Sequence, residues 1–343
     1  MTDTPIRVLV VDDSAFARKV LRQVLSAARG ITVVDTARDG LDALEKISAL
    51  QPDVVTLDLL MPHLDGLGVL RSLAGASSPR VVVVSSAGEE SELAVSALQA
   101  GAVELVHKPT ALATDRLYEL GAELVAKVKT AAGAVVHPPV EVQPTAKPVA
   151  PVLATGRRLV VVGTSTGGPA ALTRLLAALP ADFPALLALA LHIPPGYTEA
   201  LARRLGTQSA LEVMEAEEGM ELRPGRAVLA RAGMHLRVER HGEQVWARLG
   251  MAPLTTPHHP SVDVLFESAA GWGADAVGVV LTGMGDDGLQ GARAIRAAGG
   301  HVLTESAESC VVYGMPRVVA EAGLSHASAP LEDMAALLNR YVR

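Results

Sequence analysis

The sequence predicts an α/β protein with two domains, each built on a parallel or mostly parallel sheet, and three observations lead to this prediction. The chain has 343 residues, which corresponds to about two domains at roughly 150 residues each. Short runs of Val, Leu and Ile alternate in both halves with longer amphipathic stretches, a pattern typical of parallel strands connected by helices. Residues 133–156 hold five of the 21 prolines and no periodicity, which indicates an extended linker. The predicted domains are therefore residues 1–132 and 157–343.

The first half predicts a five-stranded, doubly wound parallel sheet. Its strands are expected at residues 6–11, 32–35, 54–57, 81–84 and 102–106, and each is followed by a helix-like segment. The last helix carries an apolar stripe at spacings of three and four residues, formed by Leu117, Leu120, Leu124 and Val128. Such a stripe packs against the sheet.

The second half predicts another mostly parallel sheet. Strands are expected at residues 159–162, 186–191, 277–281 and 301–304. Residues 211–249 contain short alternating runs separated by Gly and Pro turns, which favours some antiparallel structure in that region.

Composition excludes several classes of function. The net charge of −7 and the aromatic content of 3% give little support for nucleic-acid binding. A single cysteine, Cys310, cannot form an internal disulfide and fits a reducing compartment. The N-terminus does not resemble a signal peptide, and no apolar run approaches the roughly 18–20 residues that a membrane span needs. We expect a cytoplasmic protein without direct membrane insertion.

Five polar residues follow predicted strands in the first half: Asp12, Asp13, Asp58, Ser85 and Lys108. In an open parallel sheet, the carboxyl ends of the strands meet where ligands bind. Three carboxylates repel one another unless a cation joins them, and oxygen ligands suit Mg²⁺. The alternative, that the first two aspartates only cap the following helix, does not account for polar residues at four strand ends. The pattern predicts a magnesium site at which one aspartate could carry a phosphoryl group.

These residues resemble the receiver domains of two-component response regulators over about residues 6–131. The resemblance rests on Val11-Asp12-Asp13-Ser14, on residues 57–62 (LDLLMP) with Asp65-Gly66, on Ser85 and on Lys108-Pro109. It implies a flavodoxin-like fold in which Asp58 accepts phosphate from a histidine kinase and Asp12, Asp13 and Asp58 hold Mg²⁺. It also implies that Ser85 and Lys108 couple phosphorylation to shape. Leu105 stands where many receivers have an aromatic switch residue, so the aromatic part of that relay is not expected here.

A predicted strand in the second half runs into Gly163-Thr164-Ser165-Thr166-Gly167-Gly168-Pro169 and then a helix. The spacing Gly163-x-Ser165-x-Gly167 matches the nucleophile elbow, in which small neighbours expose a serine hydroxyl to substrate. A glycine loop that binds phosphate is the alternative, although the spacing fits neither common nucleotide-binding fingerprint. The motif by itself leaves these two interpretations open.

A nucleophilic serine needs a base and an orienting carboxylate. His192 ends one predicted strand, and Asp286 and Asp287 follow another through a glycine turn. A structural histidine and helix-capping aspartates are the alternatives for each residue considered singly. His235 and the pair His258-His259 do not show the ligand spacing of a catalytic metal site, so we expect no metal in the chemistry of the second half.

The order Ser, His, Asp differs from that of α/β-hydrolases, and residues 158–340 resemble the CheB family of chemotaxis protein-glutamate methylesterases and glutamine deamidases. The motifs are residues 163–169 (GTSTGGP), 192–196 (HIPPG), 260–263 (PSVD), 281–288 (LTGMGDDG) and 308–316 (ESCVVYGMP). The resemblance implies Ser165 as nucleophile, His192 as base and Asp287 as orienting carboxylate. It further implies that the backbone amides of Thr166 and Met284 form the oxyanion hole. Asp286 stands where family members usually have Asn.

The combined resemblance implies a phosphorylation-regulated esterase and deamidase. Its expected substrates are glutamate γ-methyl esters and glutamines of chemoreceptors (methyl-accepting chemotaxis proteins), and its expected phosphodonor is a CheA-type histidine kinase. Phosphorylation of Asp58 is expected to open access to the Ser165 cleft. The alternative is a phosphorylation-responsive binding protein with a vestigial esterase site.

Overall fold

The structure, a computed structural model, describes residues 4–73, 78–86, 91–108, 114–136 and 158–342, with the side chains of residues 114–119 excepted. The chain divides into two compact units, Met1–Pro139 and Val140–Arg343. Most of the linker predicted at residues 133–156 lies outside the described residues, as do Pro109 and the Leu117 side chain.

The described residues of the first unit form one sheet of five strands, each followed by a helix. In chain order its elements are β1 (Ile6–Val11), α1 (Ala15–Ala27), β2 (Ile31–Ala37), α2 (Gly40–Leu50), β3 (Val54–Leu57), α3 (Gly66–Ser72), β4 (Arg80–Ser85), α4 (Ser91–Gln99), β5 (Glu104–His107) and α5 (Thr114–Ala132). All four strand pairs are parallel, in the order β2-β1-β3-β4-β5. The predicted five-stranded doubly wound fold is confirmed.

Side-chain patterns explain why these segments form this unit. The last four residues of β1 and all of β3 are buried, as expected of strands covered by helices on both faces. Ser14, Asp39 and Asp65 cap the starts of α1, α2 and α3 with side-chain oxygens that accept backbone N–H groups. Strand order reverses between β1 and β3, so the crevice where ligands bind in such folds lies at their carboxyl ends.

The fifth strand begins later than its apolar sequence predicts. Residues 102–106 were expected as a strand, whereas β5 begins at Glu104. The amide of Ala102 donates to the carbonyl of Ala97 and so still belongs to the end of α4. Gly101, with φ of 111°, makes the turn that this helix end requires.

The second unit contains a seven-stranded sheet and a smaller three-stranded sheet. In chain order its elements are β6 (Leu159–Thr164), α6 (Gly168–Ala178), β7 (Leu186–Leu191), α7 (Thr198–Gln208), β8 (Glu212–Glu215), β9 (Glu221–Leu222), β10 (Arg226–Leu229), β11 (His235–His241), β12 (Gln244–Gly250), α8 (Val262–Ala269), a 3₁₀ helix (Ala270–Asp275), β13 (Ala276–Val280), α9 (Leu289–Ala297), β14 (His301–Glu305), α10 (Met315–Glu321), β15 (Ala327–Ala329) and α11 (Leu331–Val342).

The large sheet is parallel throughout, in the order β15-β14-β13-β6-β7-β10-β8, and β11-β12-β9 form an antiparallel sheet. The mostly parallel prediction for this domain is confirmed. Residues 211–249 do contain antiparallel strands, but β8 and β10 from the same stretch extend the parallel sheet instead. Strand order reverses at β6, which lies between β7 and β13. Loops following these three strands therefore meet at one edge.

Candidate active site

Ser165 and His192 follow two neighbouring strands at the edge where the order of the large sheet reverses. Thr164, the last residue of β6, pairs in register with Leu191, the last residue of β7. Because the strands are parallel, the next residue of each emerges at the same edge of the sheet. The register therefore brings Ser165 and His192 to adjacent positions.

The turn that holds Ser165 is tightly packed and depends on its glycines. Gly167 has φ of 78°, and a Cβ atom there would lie 2.7 Å from Val311. The amide of Gly168, the first residue of α6, donates to the carbonyl of Ser165 at 2.7 Å. Ser165 is half-buried and sits at the N-terminus of this helix, where the helix dipole favours negative charge.

His192 is held by Asp287 and covered by a second imidazole. Its Nε2 lies 2.8 Å from Oδ2 of Asp287, while its Nδ1 is buried and has no hydrogen-bond partner. His258 stacks on the ring with centroids 3.9 Å apart and planes inclined by 19°. An ionised carboxylate can only accept a hydrogen bond, so Nε2 carries the proton. The lone pair of Nδ1 is then the one available to act as a base.

Asp287 lies at the N-terminus of α8, where its carboxylate accepts four hydrogen bonds. Its partners are Nε2 of His192, the amides of Val262 (2.7 Å) and Asp263 (2.9 Å), and Oγ of Ser261 (2.9 Å). Burial would raise the pKa of Asp287, but His192 and these amides outweigh burial and lower the pKa to about 2. Asp287 is therefore ionised throughout the neutral range.

Asp286, the neighbouring carboxylate, does not take part in this arrangement. Its side chain is exposed, whereas its own carbonyl accepts the amide of Leu289 in the turn before α9. Of the two adjacent aspartates, Asp287 is therefore the one that is hydrogen-bonded to His192.

Ser165 and His192 are adjacent but not hydrogen-bonded to each other. Within the part of the chain that the structure describes, Ser165 makes hydrogen bonds only through its backbone, to Thr282 and Gly168. The Ser165 loop nevertheless touches the loop that carries Asp287, since a Cβ atom on Gly283 would lie 2.8 Å from Cβ of Ser165. The structure therefore brings together the loops of all three predicted residues and forms one of the two side-chain contacts of a triad.

Sequence reasoning did not assign a role to Asp263. Its Oδ1 accepts the amides of Gly288 (2.9 Å) and Gly291 (2.7 Å) at the start of α9. Asp287 caps α8 while Asp263, in α8, caps α9, so the two helix starts hold each other in place. Burial raises the pKa of Asp263 to about 6, with the nearby charge of Asp287 also raising it and the two glycine amides lowering it.

Sequence reasoning also did not assign a role to His235, which contacts both ends of the segment of residues 253–261. Its Nδ1 accepts the amide of Ser261, and its Nε2 lies 3.2 Å from the carbonyl of Pro253. Burial lowers the pKa of His235, although the carbonyl of Pro253 opposes this effect. The motif of residues 260–263 was visible in the sequence, but only the fold shows that Ser261 connects His235 to Asp287.

The first unit has its own cluster of acidic residues at the carboxyl ends of β1 and β3. Asp12, Asp13 and Asp58 each offer a carboxylate oxygen, and these oxygens lie within 4.8 Å of one another. Nζ of Lys108 lies 2.7 Å from Asp12 and 2.8 Å from Asp58. Three convergent carboxylates are a donor set that fits Mg²⁺.

The electrostatics of this cluster favour a bound cation. Burial raises the pKa of Asp58, with Lys108 opposing the shift and the charge of Asp12 adding to it. Burial would lower the pKa of Lys108, but its bonds to the two carboxylates raise it. Ser85 ends β4 next to this cluster, and its carbonyl accepts the amide of Lys108 at 2.7 Å. Leu105, buried in β5, occupies the position expected for an aromatic residue.

Among the described residues, no helix combines the length and the apolar character that crossing a membrane requires.

Comparisons with known proteins identify both units. Residues 160–338 match the family described as CheB methylesterase, and residues 8–119 match the response regulator receiver domain. A "protein-glutamate methylesterase/protein-glutamine glutaminase 5" of Myxococcus xanthus is 73% identical over 346 residues, which cover 99% of each chain. A protein-glutamate methylesterase/protein-glutamine glutaminase of Symbiobacterium thermophilum is 46% identical over 98% of this chain and 97% of its own.

The second unit is similar in fold to a solved structure. The crystal structure of the Thermotoga maritima CheB methylesterase catalytic domain is similar with a TM-score of 0.52 and 38% identity. The similarity covers 53% of this chain and 97% of that one.

Proposed function

The chain belongs to the CheB methylesterase family and carries a response regulator receiver domain, and on that premise we propose that it hydrolyses glutamate γ-methyl esters and deamidates glutamines of chemoreceptors through an acyl group on Ser165. The observation that carries this proposal is the contact between Nε2 of His192 and Oδ2 of Asp287 at 2.8 Å. His192 follows the strand next to the one that Ser165 follows. The relatives named as methylesterase and glutaminase support both reactions.

In the acylation step, His192 acts as the base and Asp287 fixes its proton. Nε2–H of His192 is donated to Asp287, so Nδ1 takes the proton of Ser165 when the serine Oγ bonds to the γ-carbonyl carbon. The missing hydrogen bond between Ser165 and His192 forms in the substrate complex, where catalytic contacts commonly tighten. The C–O bond to methanol then breaks, and the proton returns from Nδ1 to the departing methanol.

Deacylation repeats these steps with water. His192 takes one proton from water, whose oxygen bonds to the acyl carbon, and passes that proton to the departing Ser165 Oγ. The carboxylic acid that forms loses the second proton of the water to solvent and is released as the glutamate carboxylate. A glutamine side chain follows the same route with ammonia as the leaving group. The backbone amides of Thr166 and Met284 stabilise the oxyanion in each step, a contribution worth about 10²–10³ in rate for one donor.

Phosphorylation of Asp58 in the receiver domain regulates this activity. Asp12, Asp13 and Asp58 would hold Mg²⁺, which would neutralise negative charge as Asp58 takes up a phosphoryl group. Lys108 contacts both buried carboxylates through its side chain and Ser85 through its amide, so it can pass a change at Asp58 to β4. We propose a CheA-type histidine kinase as the phosphodonor and the cytoplasm as the location of the protein.

A binding protein with a vestigial esterase site is the alternative from a different functional class. The hydrogen-bonded pair of His192 and Asp287 counts against it, because a site without a reaction has no need of an imidazole oriented by an ionised carboxylate. The full-length similarity to named esterases also gives that alternative no support.

Methanol release from methylated chemoreceptor membranes, measured with Mg²⁺ and with or without a small-molecule phosphodonor, tests the function and its regulation. We expect the wild-type rate to rise with phosphodonor, whereas Asp58→Asn keeps the unstimulated rate in both samples because its amide cannot form an acyl phosphate. Asp35→Asn is the matched control: Asp35 lies on β2 beside Lys46, away from the cluster, and its variant should respond like wild type. Equal stimulation of Asp58→Asn would contradict the regulatory role, and no methanol from any sample would favour the binding protein.

A further inference from the structure

Thr282 lies at the junction of the loops that form the proposed active site. It is 1% exposed, follows β13 and precedes Met284 by two residues. The mechanism proposed above uses none of its polar groups, yet its amide, carbonyl and hydroxyl are all hydrogen-bonded. Such complete pairing in a buried residue makes its position well determined.

On one side, Thr282 binds three consecutive residues of the nucleophile turn. Its carbonyl accepts the amide of Ser165 at 3.0 Å and Oγ1 of Thr164 at 2.7 Å. Its own hydroxyl donates to the carbonyl of Thr166 at 2.9 Å. Thr282 thereby holds the peptide group before Ser165 through its backbone carbonyl and the peptide group after Thr166 through its hydroxyl.

On the other side, Thr282 binds the segment that precedes α10. Its hydroxyl oxygen accepts the amide of Val312 at 3.0 Å, and the carbonyl of Val312 accepts the amide of Gly283 at 3.0 Å. The carbonyl of Gly283 in turn accepts the amides of Gly314 (3.1 Å) and Met315 (2.8 Å). The segment that holds the threonine hydroxyl therefore also holds the peptide that leads to Met284.

The two proposed oxyanion donors, the amides of Thr166 and Met284, lie in the turn and the loop that Thr282 joins. A trans peptide is planar, so a fixed carbonyl fixes the N–H of the next residue on the opposite side. The carbonyl of Ser165 is fixed by the amide of Gly168 at 2.7 Å, which orients N–H of Thr166. The carbonyl of Gly283 is fixed as described, which orients N–H of Met284.

We propose that Thr282 is a positioning residue that sets the spacing of the two oxyanion-hole amides, an inference that rests on the proposed function. Its hydroxyl is the link between the turn of Thr166 and the segment that orients Met284. Oxyanion donors act only when they lie where the negative charge develops. Thr282 thus helps to stabilise the negative charge of the transition state without touching the substrate.

Glu305 keeps Thr282 itself from moving. Oε2 of Glu305 accepts the amide of Thr282 at 2.8 Å, and Oε1 accepts Oγ of Ser309 at 2.8 Å. Glu305 ends β14 and is fully buried. The loop that carries Thr282 and Met284 is therefore hydrogen-bonded to a buried side chain of the large sheet, Glu305.

Thr282→Val removes the hydroxyl at nearly constant volume and tests this role. Because a misplacement of about 1 Å can cost about 10²-fold, we expect kcat for methanol release to fall about 10- to 100-fold while KM stays nearly unchanged. Affinity for an aryl boronic acid, which forms a tetrahedral adduct with the serine, should fall by a similar factor. Thr282→Ser retains the hydroxyl and should restore most of the rate.

Two further variants separate positioning from folding. Thr304→Val removes another buried hydroxyl of the same sheet, one that pairs with Ser325 and does not touch either loop, and should keep the wild-type kcat. Gly314→Ala places a Cβ atom 2.6 Å from the carbonyl of Gly283, so it should displace the Met284 peptide and lower kcat even if Thr282→Val does not fold.

The outcomes distinguish this inference from the proposed function. Wild-type kcat in Thr282→Val, with an active wild type and an inactive Ser165→Ala, would overturn the positioning role alone, whether or not KM rises. If Thr282→Val does not fold, wild-type kcat in Gly314→Ala would overturn it. Loss of the proposed function itself would appear as methanol release that Ser165→Ala does not reduce.

Discussion

Replacing Ser165 by alanine is expected to lower methanol release and glutamine deamidation together, by at least about 10⁴-fold, since removal of a nucleophile leaves only the contribution of binding and the oxyanion hole. The serine side chain makes no hydrogen bond among the described residues. Its removal thus leaves no buried group unpaired. The melting temperature of Ser165→Ala should therefore match that of wild type. Any loss of methanol or ammonia release then reflects the loss of the nucleophile and not a loss of stability.

Ser328→Ala is the matched control for this substitution. Ser328 is an exposed residue of β15, the strand at the far edge of the same sheet. Its variant should release methanol and ammonia at wild-type rates. If Ser165→Ala kept either activity at a substantial fraction of the wild-type rate, the nucleophile for that reaction would have to be another group.

Asp287→Asn is expected to reduce kcat about 10³- to 10⁴-fold, while Asp286→Asn stays within about twofold of wild type. The asparagine can point its NH₂ group at His192, which then turns to the tautomer protonated on Nδ1. That tautomer cannot take a proton from Ser165. Asp286 is exposed and touches neither residue, so it is the natural control for the neighbouring carboxylate.

The kcat values of the two variants, measured together with thermal unfolding, separate chemistry from stability. Asp287 caps α8 through Val262 and Asp263, so its replacement also lowers the melting temperature. A loss of rate in Asp286→Asn equal to that in Asp287→Asn would contradict the assignment of the carboxylate.

The sequence was sufficient to predict the fold because the central strands of the two parallel sheets are continuous apolar runs. In β6 and β7 all residues are buried, so their Val and Leu runs are as clear in the sequence as in the structure. Short or exposed strands gave no such signal. The strand β15 has three residues with an exposed Ser328 at its centre, and β8 (EVME) has one exposed and three partly exposed positions.

The residues of the candidate site could be predicted where they follow a buried strand, either through a glycine turn, as Asp287 follows β13, or directly. Ser165 and His192 do so, and the register of β6 and β7 then determines that they are neighbours. Asp263, His235 and Thr282 act through hydrogen bonds to residues 25, 26 and 116 positions away in the chain. Contacts of that range have no local pattern, so only the assembled fold could show them.

The most direct test of the central claim, that one acyl group on Ser165 serves both reactions, is the partition of products in hydroxylamine. Receptor fragments carrying either a glutamate methyl ester or a glutamine at one position are treated with the enzyme, and the hydroxamate and carboxylate products are quantified by mass spectrometry. Hydroxylamine and water compete for the same intermediate after methanol or ammonia has left. We therefore expect the same ratio of hydroxamate to carboxylate for both substrates, and no hydroxamate with Ser165→Ala. Ratios that differ between the ester and the amide, or hydroxamate formed by Ser165→Ala at the wild-type rate, would contradict a shared acyl-enzyme.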